Sequence, residues 1–196
     1  MPQTSRVRRF SLPDLADERV DDAITSFLSG PEHRRGRREP AAEVQPGSNG
    51  ANAFGALENR IAWMEALRRE AARSVRYRRA AAIMVIAGVA TADTREASAW
   101  LARMAGPIAH AIHRGIRDTD LVTRTGDARF QVLLTETTAR EARHVAERVV
   151  HDCQVWLQAV QAPLSVRAAS AGTAPDTTLE QALEQALHKL DPARSA

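Results

Sequence analysis

Apolar residues along this chain follow two different patterns, and each pattern predicts one kind of element. Short apolar runs, continuous or alternating, lie at Ala80–Val89, Leu121-Val122, Phe130–Leu134 and Leu164–Ala174. Runs of this length predict β-strands. Between them, apolar residues recur every three or four positions, which predicts helices with one buried face. The order helix–β–helix–β–β–helix–β–helix predicts an α/β, ferredoxin-like fold with one mainly antiparallel sheet flanked by helices.

Each predicted helix is defined by the stripe of apolar residues that would face the sheet. The first helix runs through Arg78, and its stripe is Leu57, Ile61, Met64, Leu67, Ala71 and Val75. The second has the stripe Trp100, Met104, Ile108, Ile112 and Ile116, and Gly106-Pro107 predicts an interruption or a bend. The third is expected from Ala139 to Gln154 or slightly beyond. The fourth is expected to be capped by Thr177 or Thr178 and to end at Leu190.

The region before this domain has a different composition. Residues 1–28 predict an amphipathic helix with Ser11 as its N-cap. Residues 29–51 are polar and rich in Pro and Gly, which predicts a flexible linker, and residues 52–192 form the expected folded domain. Two interpretations of 1–28 stand: a docking helix for a protein partner or a second protomer, or a helix that packs on its own domain.

The segment Thr125-Gly126-Asp127 lies between two apolar runs and predicts a tight hairpin turn. Glycine reaches positive φ freely, and an aspartate side chain bonds its own backbone. A helix is expected soon afterwards, near Thr137. The local structure is therefore predicted to be strand, turn, strand and helix.

Charge and cysteine content narrow the class of protein. Of the 27 basic residues only Lys189 is a lysine, and the net charge is only +3. This balance does not favour nucleic acid as a partner. A single cysteine, Cys153, excludes an internal disulfide and is typical of a reducing compartment. No apolar run approaches the ~20 residues that span a bilayer, and the basic start lacks the apolar core of a secretory signal. A cytoplasmic protein is the expectation.

Two segments carry motifs of a known family, D-L-V-T-R-T-G-D-A-R-F-Q-V-L-L and Leu57-Glu58-Asn59-Arg60. The first resembles the hairpin of GGDEF domains, the diguanylate cyclases that condense two GTP into cyclic di-GMP. The second is similar to the L-P-N-R of the same family. Ala142 and Ala146-Glu147-Arg148 are similar to the A…A-E-R helix, and residues 170–174 resemble the S-I-G-V-A strand. The resemblance covers residues 52–190 and implies a nucleotidyl-cyclase-like fold.

The signature loop departs from the family pattern at the residues that carry its chemistry. The five signature positions are Gly126, Asp127, Ala128, Arg129 and Phe130. The resemblance implies a second glycine where Asp127 stands, and carboxylates that hold Mg²⁺ where Ala128 and Arg129 stand. The metal-ligating aspartate of the first strand corresponds to a position near Ala87. We therefore expect a degenerate GGDEF domain with no metal, no cofactor and no cyclase activity.

Other family contacts also lack clear counterparts. The family reads guanine with an Asn and an Asp in the segment that corresponds to Ala90–Ala102, and Asp93 is the single Asn or Asp there. Lys189 is out of register with the family's late phosphate-binding lysine. Asp127 is interpreted as a turn former, because one carboxylate at a hairpin tip is a weak Mg²⁺ site.

A second motif lies just before the hairpin. Arg117 and Asp120 form an R-x-x-D sequence with five residues between Asp120 and Gly126, the spacing of the family's inhibitory product site. Arginine pairs with guanine O6 and N7, and a carboxylate accepts from guanine N–H groups. Arg148 stands where family sites place a second arginine. The resemblance thus implies a cyclic di-GMP-responsive regulatory protein.

Two alternatives stay open for this region. Asp120 can instead cap the start of the strand, with Arg117 a solvated residue at a helix end. Separately, the domain as a whole can be a nucleotide-independent interaction or dimerisation scaffold, such as a homodimer, in a bacterial signalling pathway. A metalloenzyme is a distant third, because His110 and His113 have no accompanying ligand set, and Cys153 is interpreted as structural.

Overall fold

The computed structural model describes residues 57–91 and 95–191. The predicted amphipathic segment 1–28, the linker 29–51 and Asp93 lie outside the described residues. The described elements are α1 (Arg60–Tyr77), β1 (Ala82–Ala90), α2 (Arg95–Gly115), β2 (Leu121–Gly126), β3 (Arg129–Leu134), α3 (Ala139–Ala159), β4 (Leu164–Gly172) and α4 (Leu179–Leu190). Their order confirms the predicted α/β fold.

The four strands form one antiparallel sheet in the order β2-β3-β1-β4. Strand β1 lies in the centre and is buried on both faces, as its continuous apolar run predicts. Alternate residues of β1 point to opposite faces. Ile83, Val85 and Ala87 pack with residues of α1 and α4, whereas α2 and α3 contact the sheet from the other side.

The predicted inward face of α1 is correct only in part, because Leu67 is buried and Met64 and Ala71 pack against the core, but two other predicted residues do not. Ile61 and Val75 are 75% and 77% exposed, and the buried residues are Trp63, Ala66, Leu67, Glu70 and Ser74. The helix begins only at Arg60, because the Asn59 side chain caps it by accepting from the Ala62 N–H. Leu57 therefore precedes the helix and is not part of its inward face.

Burial of Glu70 raises the pKa of its carboxyl, although the nearby Arg73 charge acts in the opposite direction. A buried carboxylate on the inner face of α1 is a feature that an apolar stripe cannot indicate.

The predicted interruption of α2 is also wrong, because the helix continues through Pro107. Buried residues lie on both sides of the proline, with Met104 before it and Ile108 and Ile112 after it. Packing of this face offsets the hydrogen bond that proline cannot donate. In the other helices, α3 extends to Ala159 and Thr178 is the N-cap of α4, both as predicted. No helix in the described ranges is long and apolar enough to cross a bilayer.

Candidate functional site

The hairpin between β2 and β3 turns at Asp127-Ala128, slightly later than predicted. The role expected of glycine is wrong, because neither Gly126 nor the two turn residues have φ in the left-handed region, although Asp127 does lie in the turn. Instead, the pairing register shifts between Arg124 and Gly126, which leaves Thr125 as a bulge beside the turn.

The turn packs closely on the end of strand β1. Ala128 is only 2% exposed. Its carbonyl accepts a 2.8 Å hydrogen bond from the Gly88 N–H. A Cβ on Gly88 would lie 2.8 Å from the Ala128 Cβ, so this approach requires glycine at position 88. Ala87 is also buried and pairs with Arg129 across the sheet.

The remaining signature positions are engaged in contacts within the domain. Arg129 Nη2 lies 2.5 Å from Asp191 Oδ2, just after the end of α4. Phe130 is buried in the core. The Asp127 side chain is 76% exposed and lies 3.7 Å from Arg124 Nη2. Among these five residues, Asp127 thus offers the one carboxylate.

Asp120 fixes the loop between α2 and β2 through its carboxylate. Its Oδ2 accepts from the Arg117 backbone N–H at 2.9 Å, and its Oδ1 accepts from the Thr135 N–H at 3.0 Å and the Thr135 hydroxyl at 3.3 Å. Asp120 is buried. The geometry is that of a cap at the start of β2, one of the two alternatives that the sequence left open.

Arg117 stands on this loop with an exposed side chain. Within residues 57–91 and 95–191, its guanidinium makes no hydrogen bond or ion pair. Hydrogen bonds from Thr138 hold the pKa of the Glu141 carboxyl below its usual value, and the Arg117 charge adds to this effect. Arg117 therefore faces the first turn of α3.

Arg148 belongs to the same region. Its Nη2 donates to the Gly115 carbonyl oxygen at 2.5 Å, which places its guanidinium at the end of α2, two residues before Arg117. A Cβ on Gly115 would lie 2.6 Å from Val149 Cγ2, so glycine at this position allows α2 and α3 to approach. The structure thus brings Arg117, Asp120 and Arg148 together around one loop.

The other candidate residues are held within the packing of the helices. Burial lowers the pKa values of His110 and His113. It also raises the pKa of the Cys153 thiol to about 12, which makes this cysteine a poor nucleophile. Among the described residues, no group of three or more His, Cys, Asp or Glu side chains is arranged to hold a metal ion.

Two residues that contact the hairpin were not predicted from the sequence. Asp191 binds the Arg129 guanidinium, and the Gly88 N–H donates to the Ala128 carbonyl. Asp191 meets Arg129 only because α4 ends beside β3, and no spacing in the sequence links the two residues. Gly88 was visible as an isolated glycine in a strand, a signal of close backbone approach.

Comparisons with known proteins agree with this fold. Residues 106–195 match the family described as "Diguanylate cyclase, GGDEF domain". The GGDEF domain of YfiN (TpbB) from Pseudomonas aeruginosa is 24% identical, with a TM-score of 0.56 over 72% of this chain and 92% of that chain. No curated protein sequence matches the chain.

Two further structures of known proteins are similar. The diguanylate cyclase SiaD from Pseudomonas aeruginosa, solved with its activator SiaC, is 26% identical, with a TM-score of 0.54 over 70% of this chain and 55% of that chain. The coiled coil and GGDEF domain of DgcB from Caulobacter crescentus, solved with c-di-GMP, is 16% identical, with a TM-score of 0.56 over 72% of this chain and 78% of that chain. Residues 106–195 are thus similar in sequence to the GGDEF family, and the described fold is similar to that of solved GGDEF domains.

Proposed function

We propose that this chain is a catalytically inactive GGDEF domain that acts as a receptor for cyclic di-GMP through Arg117, Asp120 and Arg148. One observation carries the proposal: Arg117 is exposed, its guanidinium has no hydrogen bond or ion pair among the described residues, and the buried Asp120 holds its loop. A loop that is already ordered lowers the entropic cost of binding a ligand.

The absence of cyclase activity is supported by the hairpin contacts. Cyclases of this family use carboxylates to hold Mg²⁺, which neutralises the triphosphate and helps to activate the 3′-hydroxyl. The corresponding positions here are Ala87 and Ala128, both buried, and Arg129, which is paired with Asp191. Asp127 alone offers oxygen ligands, and it faces a cation. These residues do not fit a Mg²⁺–GTP site.

Asp120 and the two arginines have different roles in the proposed ligand recognition. A carboxylate has about four lone-pair sites, and Asp120 already accepts three hydrogen bonds from its own chain. Its main role is therefore to hold the loop. Within the described part of the chain, no hydrogen bond uses the Arg117 guanidinium donors, and Arg148 keeps donors beyond the one that binds the Gly115 carbonyl. Both arginines can pair with guanine O6 and N7 or with phosphate oxygens.

A turnover assay tests the first half of the proposal. Purified intact chain, incubated with GTP and Mg²⁺, is expected to form no cyclic di-GMP, with an active diguanylate cyclase assayed in parallel. Product formation at a rate comparable to that of the active enzyme would overturn the assignment of an inactive domain.

A comparison of two cyclic dinucleotides tests the second half. Adenine presents an N6 donor where guanine presents the O6 acceptor, so an arginine site discriminates between them. We expect cyclic di-GMP to bind at least about tenfold more tightly than cyclic di-AMP. Equal affinity for both would show that only the phosphates are recognised, contrary to the proposal.

A second candidate function is a protein-interaction or dimerisation scaffold. The outer face of α1 carries exposed apolar side chains, Ile61, Val75 and Tyr77. The test is sedimentation of the intact chain over a range of concentrations. If the scaffold function holds, Ile61→Ser with Val75→Ser abolishes self-association, whereas Val155→Ser, at an exposed apolar position on α3, does not. Loss of self-association in both proteins, or none in the wild type, argues against a dimer through α1.

A further inference from the structure

The outer edge of strand β4 carries backbone groups that no other strand uses. β4 is the last strand of the sheet, so among the described residues it pairs only with β1. In an antiparallel pair, alternate residues direct both backbone groups towards the neighbouring strand. Thr173 donates to the Ala81 carbonyl at 2.8 Å, so odd-numbered residues of β4 face β1. Even-numbered residues direct their N–H and C=O groups outwards.

The outward groups face a groove between two helices. Its volume is about 730 Å³, and its floor is the edge of β4 from Val166 to Ser170. Helix α3 forms one wall and the end of α4 forms the other. Lys189 Nζ donates to the Ser170 carbonyl at 3.2 Å, which agrees with the outward direction of that group. The outward groups of Val166 and Ala168 have no hydrogen-bond partner within the described part of the chain.

The charges around the groove select the kind of occupant. Its lining includes the cations of Arg143, Arg167 and Lys189 and the carboxylate of Glu147. All four residues are exposed. Two copies of the chain paired edge to edge would bring these positive groups together, and like charges opposite each other destabilise a sheet. An acidic segment would instead be attracted.

We propose that this groove binds an extended, acidic segment of a partner protein, which adds a strand to the edge of β4. The main chain of the segment pairs with the outward groups of Val166, Ala168 and Ser170. Its carboxylates face Arg143, Arg167 and Lys189. To bind, the segment displaces the Lys189 ammonium from the Ser170 carbonyl. This is recognition by strand addition, in which backbone hydrogen bonds supply affinity and side chains supply specificity.

Fluorescence anisotropy with labelled peptides on the intact chain tests the proposal. The probe is a peptide of alternating glutamate and valine, and the matched peptide has lysine in place of glutamate. A third peptide has the acidic sequence with N-methyl groups on alternate amides, which removes the hydrogen bonds of one edge. We expect saturable binding of the acidic peptide only, with each of the other two at least about tenfold weaker.

Two variants locate the binding site. Ala168→Pro removes an outward N–H without removing a hydrogen bond to β1. Arg167→Glu reverses a charge at an exposed position of β4. Both should weaken the acidic peptide about tenfold, whereas Arg69→Glu, at an exposed position on α1, should not. If Ala168→Pro fails to fold, Arg167→Glu alone decides.

Three results would overturn the proposal. The first is no saturable binding of the acidic peptide, or equal binding of the lysine peptide. The second is unchanged affinity in Arg167→Glu. The third is self-association of the wild-type chain that Ala168→Pro abolishes, which would show that a second copy occupies the edge.

Discussion

The tip of the hairpin and the loop before it lie next to each other in the chain but differ in how they use their polar groups. At the tip, Ala128 packs against Gly88 and Arg129 is held by Asp191. In the loop, Asp120 is held by the backbone but the Arg117 guanidinium has no partner among the described residues. A region whose charges are internally satisfied maintains the fold, whereas an unsatisfied charge on a rigid loop is available to a ligand. This difference agrees with the proposed function, in which the hairpin tip has no catalytic role and the loop binds the ligand.

The largest effect is expected when a carboxylate is returned to the hairpin tip. Ala128→Glu places a charged side chain at a buried position without a partner, which should lower the free energy of unfolding by about 3 kcal/mol or more. The measurement is urea denaturation. Asp127→Glu, at the exposed neighbouring position, is the control and should change stability by less than about 0.5 kcal/mol. A small effect of Ala128→Glu on the free energy of unfolding would mean that Ala128 is not buried against Gly88.

Loss of the loop's anchor should be nearly as costly. Asp120→Ala leaves the N–H groups of Arg117 and Thr135 without their acceptor, at about 1 to 3 kcal/mol for each part-buried hydrogen bond to this carboxylate. Asp120→Asn keeps an acceptor oxygen and should lose less. The same denaturation experiment measures both variants. If Asp120→Ala is as stable as the wild type, the loop is not held by this carboxylate.

Removal of the Arg129 cation should have a modest effect, because its ion pair with Asp191 is partly exposed. Arg129→Ala is expected to cost less than about 1 kcal/mol. A double-mutant cycle with Asp191→Ala measures the coupling between the two side chains. A coupling energy near zero would show that the ion pair does not help to stabilise the hairpin tip.

The smallest effect on stability is expected at Arg117. Arg117→Ala removes an exposed side chain whose guanidinium makes no hydrogen bond or ion pair among the described residues, so the free energy of unfolding should change by less than about 0.5 kcal/mol. A larger loss would assign Arg117 a structural role and weaken the contrast between the two regions.

The fold could be predicted from the sequence because its periodicities were clear. The central strand and the caps of α3 and α4 each follow from local patterns, and all were found close to their expected positions. The face of α1 could be predicted only in part. Leu67 is buried as expected, but Glu70 is buried and Ile61 is exposed, the reverse of what their hydropathy indicates. The cap at Asn59 also places the start of the helix after Leu57.

The candidate site could be predicted only in part. The positions of Arg117, Asp120 and Arg148 in the sequence indicated one cluster, and the structure brings them to one loop. The contacts of that cluster could not be predicted, because the partners of Asp120 and Arg148 are backbone groups of Thr135 and Gly115 from other elements. Such contacts depend on tertiary packing and leave no spacing signal in the chain.

Calorimetric titration of cyclic di-GMP into the intact wild-type chain, Arg117→Ala and the control Arg69→Ala tests the central claim most directly. We expect saturable heat from the wild type and the control, and affinity at least about tenfold weaker in Arg117→Ala, because a charge-assisted contact is lost. No heat from the wild type, or equal affinity in all three proteins, would contradict the account.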